Sequence, residues 1–127
     1  MVEPKDAELV NAYWEFQRLS AASTRAERTA ADDYFWAYNA VNDLVCDDAA
    51  AAVVLLEQLL ASPAADMRSI TYGPIEDLLA LHPEWCAEHL PEKCRKDPQW
   101  MDLIRLATVD DEVESQLGEL ARYRRQR

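Results

Sequence analysis

Glycine is nearly missing from this sequence, and its scarcity is the first indication of the fold. Only Gly73 and Gly118 occur among the 127 residues. Sheets with tight turns usually need more glycine, because those turns place residues at positive φ. Half of the residues are apolar, which is enough for a core. A chain of this length can bury roughly two thirds of the surface that it exposes when unfolded. We therefore predict an all-α fold, with residues 1–127 forming a single domain.

Signals for membranes and secretion are missing as well. The longest apolar run, residues 49–56, is eight residues long, far below the ~18 that suggest a membrane span. No basic and apolar leader is visible at the start of the sequence. The cysteines Cys46, Cys86 and Cys94 are odd in number, which favours a reducing compartment over a disulfide framework. We expect a cytoplasmic protein without membrane association.

Basic residues are nearly missing from the middle of the chain. The formal net charge is −11, and residues 32–88 contain eleven acids against one base, Arg68. Residues 1–31 carry five acids and four bases, and residues 89–127 carry eight of each. An acidic field repels nucleic acid and anionic lipid, and it attracts basic proteins at rates that salt reduces. We expect a protein partner with a basic surface, and neither nucleic acid nor membrane as a partner.

Apolar periodicity and capping residues indicate where the helices lie. A first helix is predicted to end near Ser20, and the capping box of Thr24 and Glu27 opens a second one. Because no Gly or Pro interrupts it, the second helix is expected to continue over residues 25–46. Asp47 and Asp48 open a third helix, which should end before Pro63.

Prolines punctuate the rest of the sequence. We expect Gly73 to close a short helix as a left-handed cap and Pro74 to begin the next one. Further helices are predicted after Pro83, after Pro98 and from Asp111 onward, and Pro91 should kink or divide the helix that contains it. The predicted architecture is two long N-terminal helices followed by several short, proline-punctuated ones, stacked as antiparallel hairpins.

The part of the sequence around Gly73 and Pro74 resembles a known family. The resemblance rests on an apolar helix opened by acids, "DDAAAAVVLLEQLLAS", followed by "YGPIEDLLALHPEWCAEHLPEKCRKDPQW". The stretch from about residue 34 to 107 is similar to small, acidic bacterial proteins catalogued as a domain of unknown function. The resemblance implies an all-helical fold and brings no activity, cofactor or partner with it.

Four residues come closest to a chemical site, namely His82, Cys86, His89 and Cys94. They could offer zinc nitrogen and sulfur ligands, or a thiol beside a base. The adjacent prolines interrupt a single ligand face, however, and a helical cysteine is more often a small buried hydrophobe. The sequence also contains no H-E-x-x-H, E-x-x-H, phosphate-binding glycine loop or G-x-S-x-G. We predict no enzyme, no catalytic residue, no metal and no cofactor.

Most of the carboxylates fall where helices are expected to begin, and negative charge there is favoured by ~0.3–1 kcal/mol. The interior of the second helix differs. Spacings of 4, 3 and 4 separate Asp32, Trp36, Asn39 and Asp43 there, which places these four residues on one helical face. An aromatic ring flanked by carboxylates is typical of an interaction hot spot with a polar rim. The alternative is that Phe35 and Trp36 pack beneath the third helix. The predicted partner-binding residues are Asp32, Asp33, Trp36, Asn39 and Asp43.

These features favour a non-catalytic binding protein. The leading hypothesis is a bacterial immunity or antitoxin-like protein that neutralises a basic protein partner such as a cognate toxin. Alternatives are a nucleic-acid-mimicking inhibitor from a phage or mobile element, an oligomeric structural adaptor, and a metal or thiol enzyme around Cys86 and His89. The C-terminal "ARYRRQR" could contact nucleic acid, although the overall charge opposes this.

Overall fold

The computed structural model describes residues 4–125, apart from the side chains of Pro4, Lys5 and Arg125. Every regular element in this range is helical, which confirms the all-α prediction. No helix in the range combines the length and the apolar character needed to cross a membrane. The chain divides into two compact units, Met1–Asp66 and Met67–Arg127. Since one domain can contain two such units, the single domain and its hairpin arrangement stay predictions.

The N-terminal unit contains four α-helices and one short 3₁₀ segment. As predicted, the Thr24 hydroxyl accepts a hydrogen bond from the Glu27 N–H (3.3 Å), and the Asp48 carboxylate accepts one from the Ala51 N–H (3.1 Å). Each bond satisfies a backbone donor that has no partner inside its helix. The elements are α1 (Pro4–Ser20), α2 (Arg25–Ala30), the 3₁₀ segment (Ala31–Tyr34), α3 (Phe35–Asp47) and α4 (Ala49–Ala61).

The core of the N-terminal unit holds α1 firmly in place. Helix α1 packs against the 3₁₀ segment and α3, and α3 packs against α4. The Trp14 indole N–H donates to the Leu59 carbonyl (3.0 Å) inside the core, beside fully buried residues that include Tyr13, Val41 and Leu56. Truncating a buried leucine such as Leu56 costs about 2–5 kcal/mol. Because α1 is packed into this core, it provides a rigid support for its exposed side chains.

The prediction of one helix over residues 25–46 is wrong. The chain tightens into the 3₁₀ segment after Ala30 and resumes as α3 at Phe35. Asp32 and Asp33 favour this change, because aspartate has a low helix propensity and competes for nearby backbone donors. Ala31 is buried where the 3₁₀ segment meets α1, so its packing accompanies the break in α-helical geometry.

The C-terminal unit is a succession of shorter helices. Pro83 and Pro98 begin α7 and α8 as predicted, and the Asp97 carboxylate accepts from the Gln99 N–H (2.9 Å). Pro91 lies buried inside α7, which continues through it undivided. The elements are α5 (Met67–Ile70), a π-helical segment (Thr71–Ile75), α6 (Glu76–Leu81), α7 (Pro83–Lys96), α8 (Pro98–Leu106), α9 (Asp111–Ser115) and α10 (Glu119–Arg125).

The predicted role of Gly73 and the prediction of one last helix both need correction. Gly73 is not a left-handed cap, because it lies inside the π-helical segment that runs directly into α6. A wider π turn accommodates Pro74, whose ring would clash with the carbonyl four residues earlier in an α-helix. The left-handed glycine is Gly118, with φ of 58°, and it separates α9 from α10 where one last helix was predicted.

Candidate functional site

Trp36, the central residue of the predicted site, lies on the surface at the start of α3. Its side chain is 47% exposed, and Asp32, Asp33, Asn39 and Asp43 are exposed as well. The Trp36 ring is therefore not buried beneath α4. A large aromatic side chain that is half exposed among carboxylates is able to contact another molecule.

The spacings of 4, 3 and 4 predicted one helical face for Asp32, Trp36, Asn39 and Asp43, but only the last three lie on the same α-helix. Trp36, Asn39 and Asp43 lie on α3 at i, i+3 and i+7, and they keep a common face. Asp32 and Asp33 lie in the 3₁₀ segment before it, where three residues rather than 3.6 complete a turn. The interpretation of Asp32 as part of a continuous α-helical face is wrong for this reason.

The opposite side of α3 is the core side. Ala37, Val41 and Val45 are buried there, whereas the nearby Tyr34 and Tyr38 are only partly buried. This arrangement leaves the Trp36 face of α3 directed away from the core.

Beside the core side, Phe35 joins a cluster of three rings. It lies 5.8 Å from Phe16 of α1 and 5.8 Å from Tyr38, measured between ring centroids, and Phe16 and Tyr38 are 5.1 Å apart. Offset and tilted ring pairs at such distances contribute about 0.5–1.5 kcal/mol beyond the area that they bury. Phe35 nevertheless stays 45% exposed, so this cluster extends the aromatic surface near Trp36.

A groove next to Trp36 contains residues that the sequence interpretation missed. It has a volume of about 580 Å³ and lies between one stripe of α1 and the chain around Tyr34 and Trp36. The α1 residues recur at i, i+3, i+4 and i+7, a polar stripe whose periodicity could have been noticed beside the apolar one. The groove is lined by Glu8, Asn11, Ala12, Glu15, Tyr34 and Trp36.

One arginine of the chain, Arg18, already pairs with a carboxylate that lines this groove. Arg18 Nε donates to Glu15 Oε2 (3.2 Å), a second guanidinium nitrogen contacts Glu15 Oε1, and Arg18 also approaches Glu27 (3.9 Å). The hydrogen bond from Arg18 holds the pKa of Glu15 below its usual range. Glu8 has no ion-pair partner among the described side chains, so it is the groove carboxylate left available.

A second, more apolar groove of about 580 Å³ follows the other side of α1. Val54 of α4 lines it and is 57% exposed. Asn11 contributes to both grooves. Helix α1 therefore presents concave surface on two sides within the N-terminal unit.

Both cysteines of the C-terminal unit, Cys86 and Cys94, are buried. Burial raises the pKa of Cys86 to about 12 and that of Cys94 to about 11. Their thiols face the Leu78 and Trp100 carbonyls (3.6 and 3.9 Å), while the exposed His89 ring packs on Trp85 with 4.5 Å between centroids. Among residues 4–125, no three His, Cys, Asp or Glu side chains are arranged to hold a metal ion.

The arginines of the C-terminal end are not a uniform basic patch. The Arg124 side chain is only 11% exposed, and it donates to the carbonyls of Ile104 (2.8 Å) and Ala107 and to Glu114 (3.0 Å). It thus satisfies the carbonyl end of α8. Arg122 is exposed, whereas Arg127 and the Arg125 side chain lie outside the described part of the structure.

Comparisons with protein-family models, with curated proteins and with solved structures give no match. The resemblance of the stretch from about residue 34 to 107 to a bacterial family therefore stays a prediction. Functional inference rests on the chemistry of the surface itself.

Proposed function

We propose that this chain is a non-catalytic acidic binding protein that neutralises a protein partner with a basic surface, as bacterial immunity and antitoxin proteins do. The observation that carries the proposal is the half-exposed Trp36 ring among the exposed Asp32, Asp33, Asn39 and Asp43. Tryptophan is strongly enriched among residues whose truncation costs the most binding energy. In this role Trp36 is the anchor, and the four polar residues form the rim.

The charge of the N-terminal unit supports a basic partner. Residues 1–66 contain twelve acids against four bases, and residues 29–66 contain no Lys, Arg or His at all. Exposed carboxylates raise the rate at which a positively charged partner arrives, and they disfavour partners of like charge. The partner's own basic site would be masked once Trp36 is buried against it. Three free cysteines support action in a reducing, cytoplasmic setting.

The test is binding to the protein encoded by the adjacent gene, measured by calorimetry and by association kinetics at low and high salt. We expect a 1:1 complex that weakens as salt is raised. Trp36→Ala should lower the affinity by about 30-fold or more. The double change Asp32→Asn, Asp43→Asn should mainly slow association.

Asp47→Asn is the matched control, because it removes an exposed carboxylate from the far end of α3. It should leave the affinity nearly unchanged. An acidic partner, or a complex insensitive to both salt and Trp36→Ala, would contradict the proposal. If duplex DNA displaces this protein from its partner, the result would instead indicate a nucleic-acid mimic. Self-association in sedimentation without any partner would indicate an adaptor.

A further inference from the structure

We infer that the groove between α1 and Trp36 receives an arginine side chain of the partner. This inference rests on the proposed function, because it assigns the chemistry by which the basic partner is held. It adds Glu8, Asn11 and Tyr34 to the binding surface. These residues come from α1 and the 3₁₀ segment rather than from the α3 face.

The lining of the groove matches a guanidinium group in both shape and charge. Tyr34 and Trp36 supply aromatic surface, and a cation over such a ring is attracted by its negative face. Glu8 supplies an exposed carboxylate without an ion-pair partner among the described side chains. Asn11 supplies an amide whose oxygen accepts hydrogen bonds. A planar cation with several N–H donors can use all three kinds of contact at once.

Arginine fits this groove better than lysine. Its guanidinium stacks on aromatic rings, forks onto a carboxylate and is weakly hydrated, whereas the lysine ammonium is a compact and strongly hydrated point charge. The chain itself provides an example, since Arg18 makes a forked contact with Glu15 at the groove edge. A partner arginine at Glu8 would repeat the same chemistry two turns earlier on α1.

Three of the groove residues stand on a helix that is fixed in the core. Glu8, Asn11 and Glu15 project from a helix whose other side is fixed by Tyr13 and Trp14 in the core. A site on a rigid helix loses little conformational entropy when a ligand binds. Trp36 then has two functions, because one ring serves both as the anchor of the α3 face and as a wall of the groove.

The test uses the full chain labelled with ¹⁵N and three blocked tripeptides, acetyl-Gly-Arg-Gly-amide and its lysine and citrulline analogues. Citrulline keeps the shape of arginine but lacks the charge. We expect the arginine peptide to shift the Trp36 indole N–H and the backbone amides of Glu8, Asn11 and Tyr34 in a saturable way. The lysine peptide should bind about threefold more weakly or worse, and the citrulline peptide should have no saturable effect.

Variants locate the effect in the groove. Glu8→Gln and Trp36→Leu should each weaken arginine-peptide binding about threefold or more, while Asp47→Asn should not. All of these positions are exposed, and unchanged amide shifts of buried residues in the same unit, such as Val53 and Leu56, would show that a variant is folded. Equal responses to arginine and citrulline, or equal losses in Glu8→Gln and Asp47→Asn, would overturn the inference.

The groove and the proposed function can fail separately. A partner complex that needs Trp36 but is unaffected by Glu8→Gln would remove the groove and keep the function. Saturable arginine binding in the groove, combined with no basic protein partner, would keep the groove and remove the function.

Discussion

The two units of this protein contain equal numbers of acidic residues and use them differently. Residues 1–66 and 67–127 each carry twelve acids, but the first unit has four bases and the second has nine. In the C-terminal unit, acids pair with Arg95, Lys96, Arg105 and Arg124. In the N-terminal unit, Arg18 pairs with both Glu15 and Glu27. A surface suited to a basic partner is therefore produced by a shortage of bases rather than by an excess of acids.

The same contrast holds for the thiols, and labelling should show the largest difference. Cys46 of the N-terminal unit is exposed, whereas Cys86 and Cys94 are buried. Only the thiolate reacts, and burial keeps the two inner thiols both protonated and shielded. We expect Cys46 to react with a disulfide reagent at pH 8 at least ~100-fold faster than the other two. Mass spectrometry of labelled peptides would measure this, and three equal rates would break the comparison.

Alkaline pH should destabilise the protein through these buried groups. An unfolded thiol loses its proton near pH 9. In the folded protein, burial raises the pKa of Cys86 to about 12 and that of Cys94 to about 11. Because the folded state raises these pKa values, their contribution is fully present below pH 9 and is lost as pH rises further. By pH 11 the loss in unfolding free energy should be about 2–3 kcal/mol for each thiol, or on the order of 5 kcal/mol for the two.

Urea titrations from pH 7.5 to 11 would measure this dependence, and single variants would assign it. Cys86→Ala and Cys94→Ala should each flatten the decline, while Cys46→Ala should leave its slope unchanged. Burial also raises the pKa of Tyr13 in the N-terminal unit to about 12, so part of the decline above pH 10 should persist in the cysteine variants. A slope that no cysteine variant changes would count against the assignment.

One arginine of the C-terminal unit, Arg124, is nearly buried, whereas the three arginines of the N-terminal unit are exposed. Arg124→Ala removes a nearly buried guanidinium that satisfies two carbonyls and Glu114, and it should cost about 2–3 kcal/mol of unfolding free energy. Arg122→Ala, on the exposed side of the same helix, is the matched control and should be nearly neutral. Arg18→Ala, which removes an exposed pair, should not shift the urea midpoint measurably.

Carboxylates should show the same contrast with a smaller effect. Glu76 Oε2 accepts a hydrogen bond from the Thr108 backbone N–H (2.6 Å), so Glu76→Ala should cost about 1 kcal/mol. Asp33→Ala alters an exposed carboxylate of the N-terminal unit and should change stability by less than ~0.5 kcal/mol. Chemical denaturation of both variants would measure the difference. Equal losses would mean that the Asp33 carboxylate is structural too.

The smallest effect is expected at Thr71 in the π-helical segment. Its hydroxyl is buried and has no hydrogen-bond partner in the part of the chain that the structure describes. Thr71→Val keeps the shape and removes the unsatisfied group, so we expect a neutral change or a gain of up to ~1 kcal/mol. Thr29→Val, at an exposed position, is the control. A loss well above 1 kcal/mol would reveal a partner for this hydroxyl.

The sequence by itself determined the helical class and most helix starts. Thr24, Asp48, Pro83 and Pro98 specify local backbone geometry through side-chain hydrogen bonds and a fixed φ, so their effects could be predicted without knowing the fold. Spacing also singled out Trp36 and its polar neighbours, but it allowed both an exposed Trp36 and one packed beneath the following helix; the structure shows it exposed.

Only the tertiary structure decided where continuous patterns break and which faces meet. The 3₁₀ segment at Ala31 accompanies packing against α1, and the π turn at Pro74 passes through a buried segment. The groove required Glu8 and Trp36 to come together from positions 28 residues apart. Periodicity describes one helix at a time, whereas a groove or a buried arginine depends on contacts between helices, which no local pattern contains.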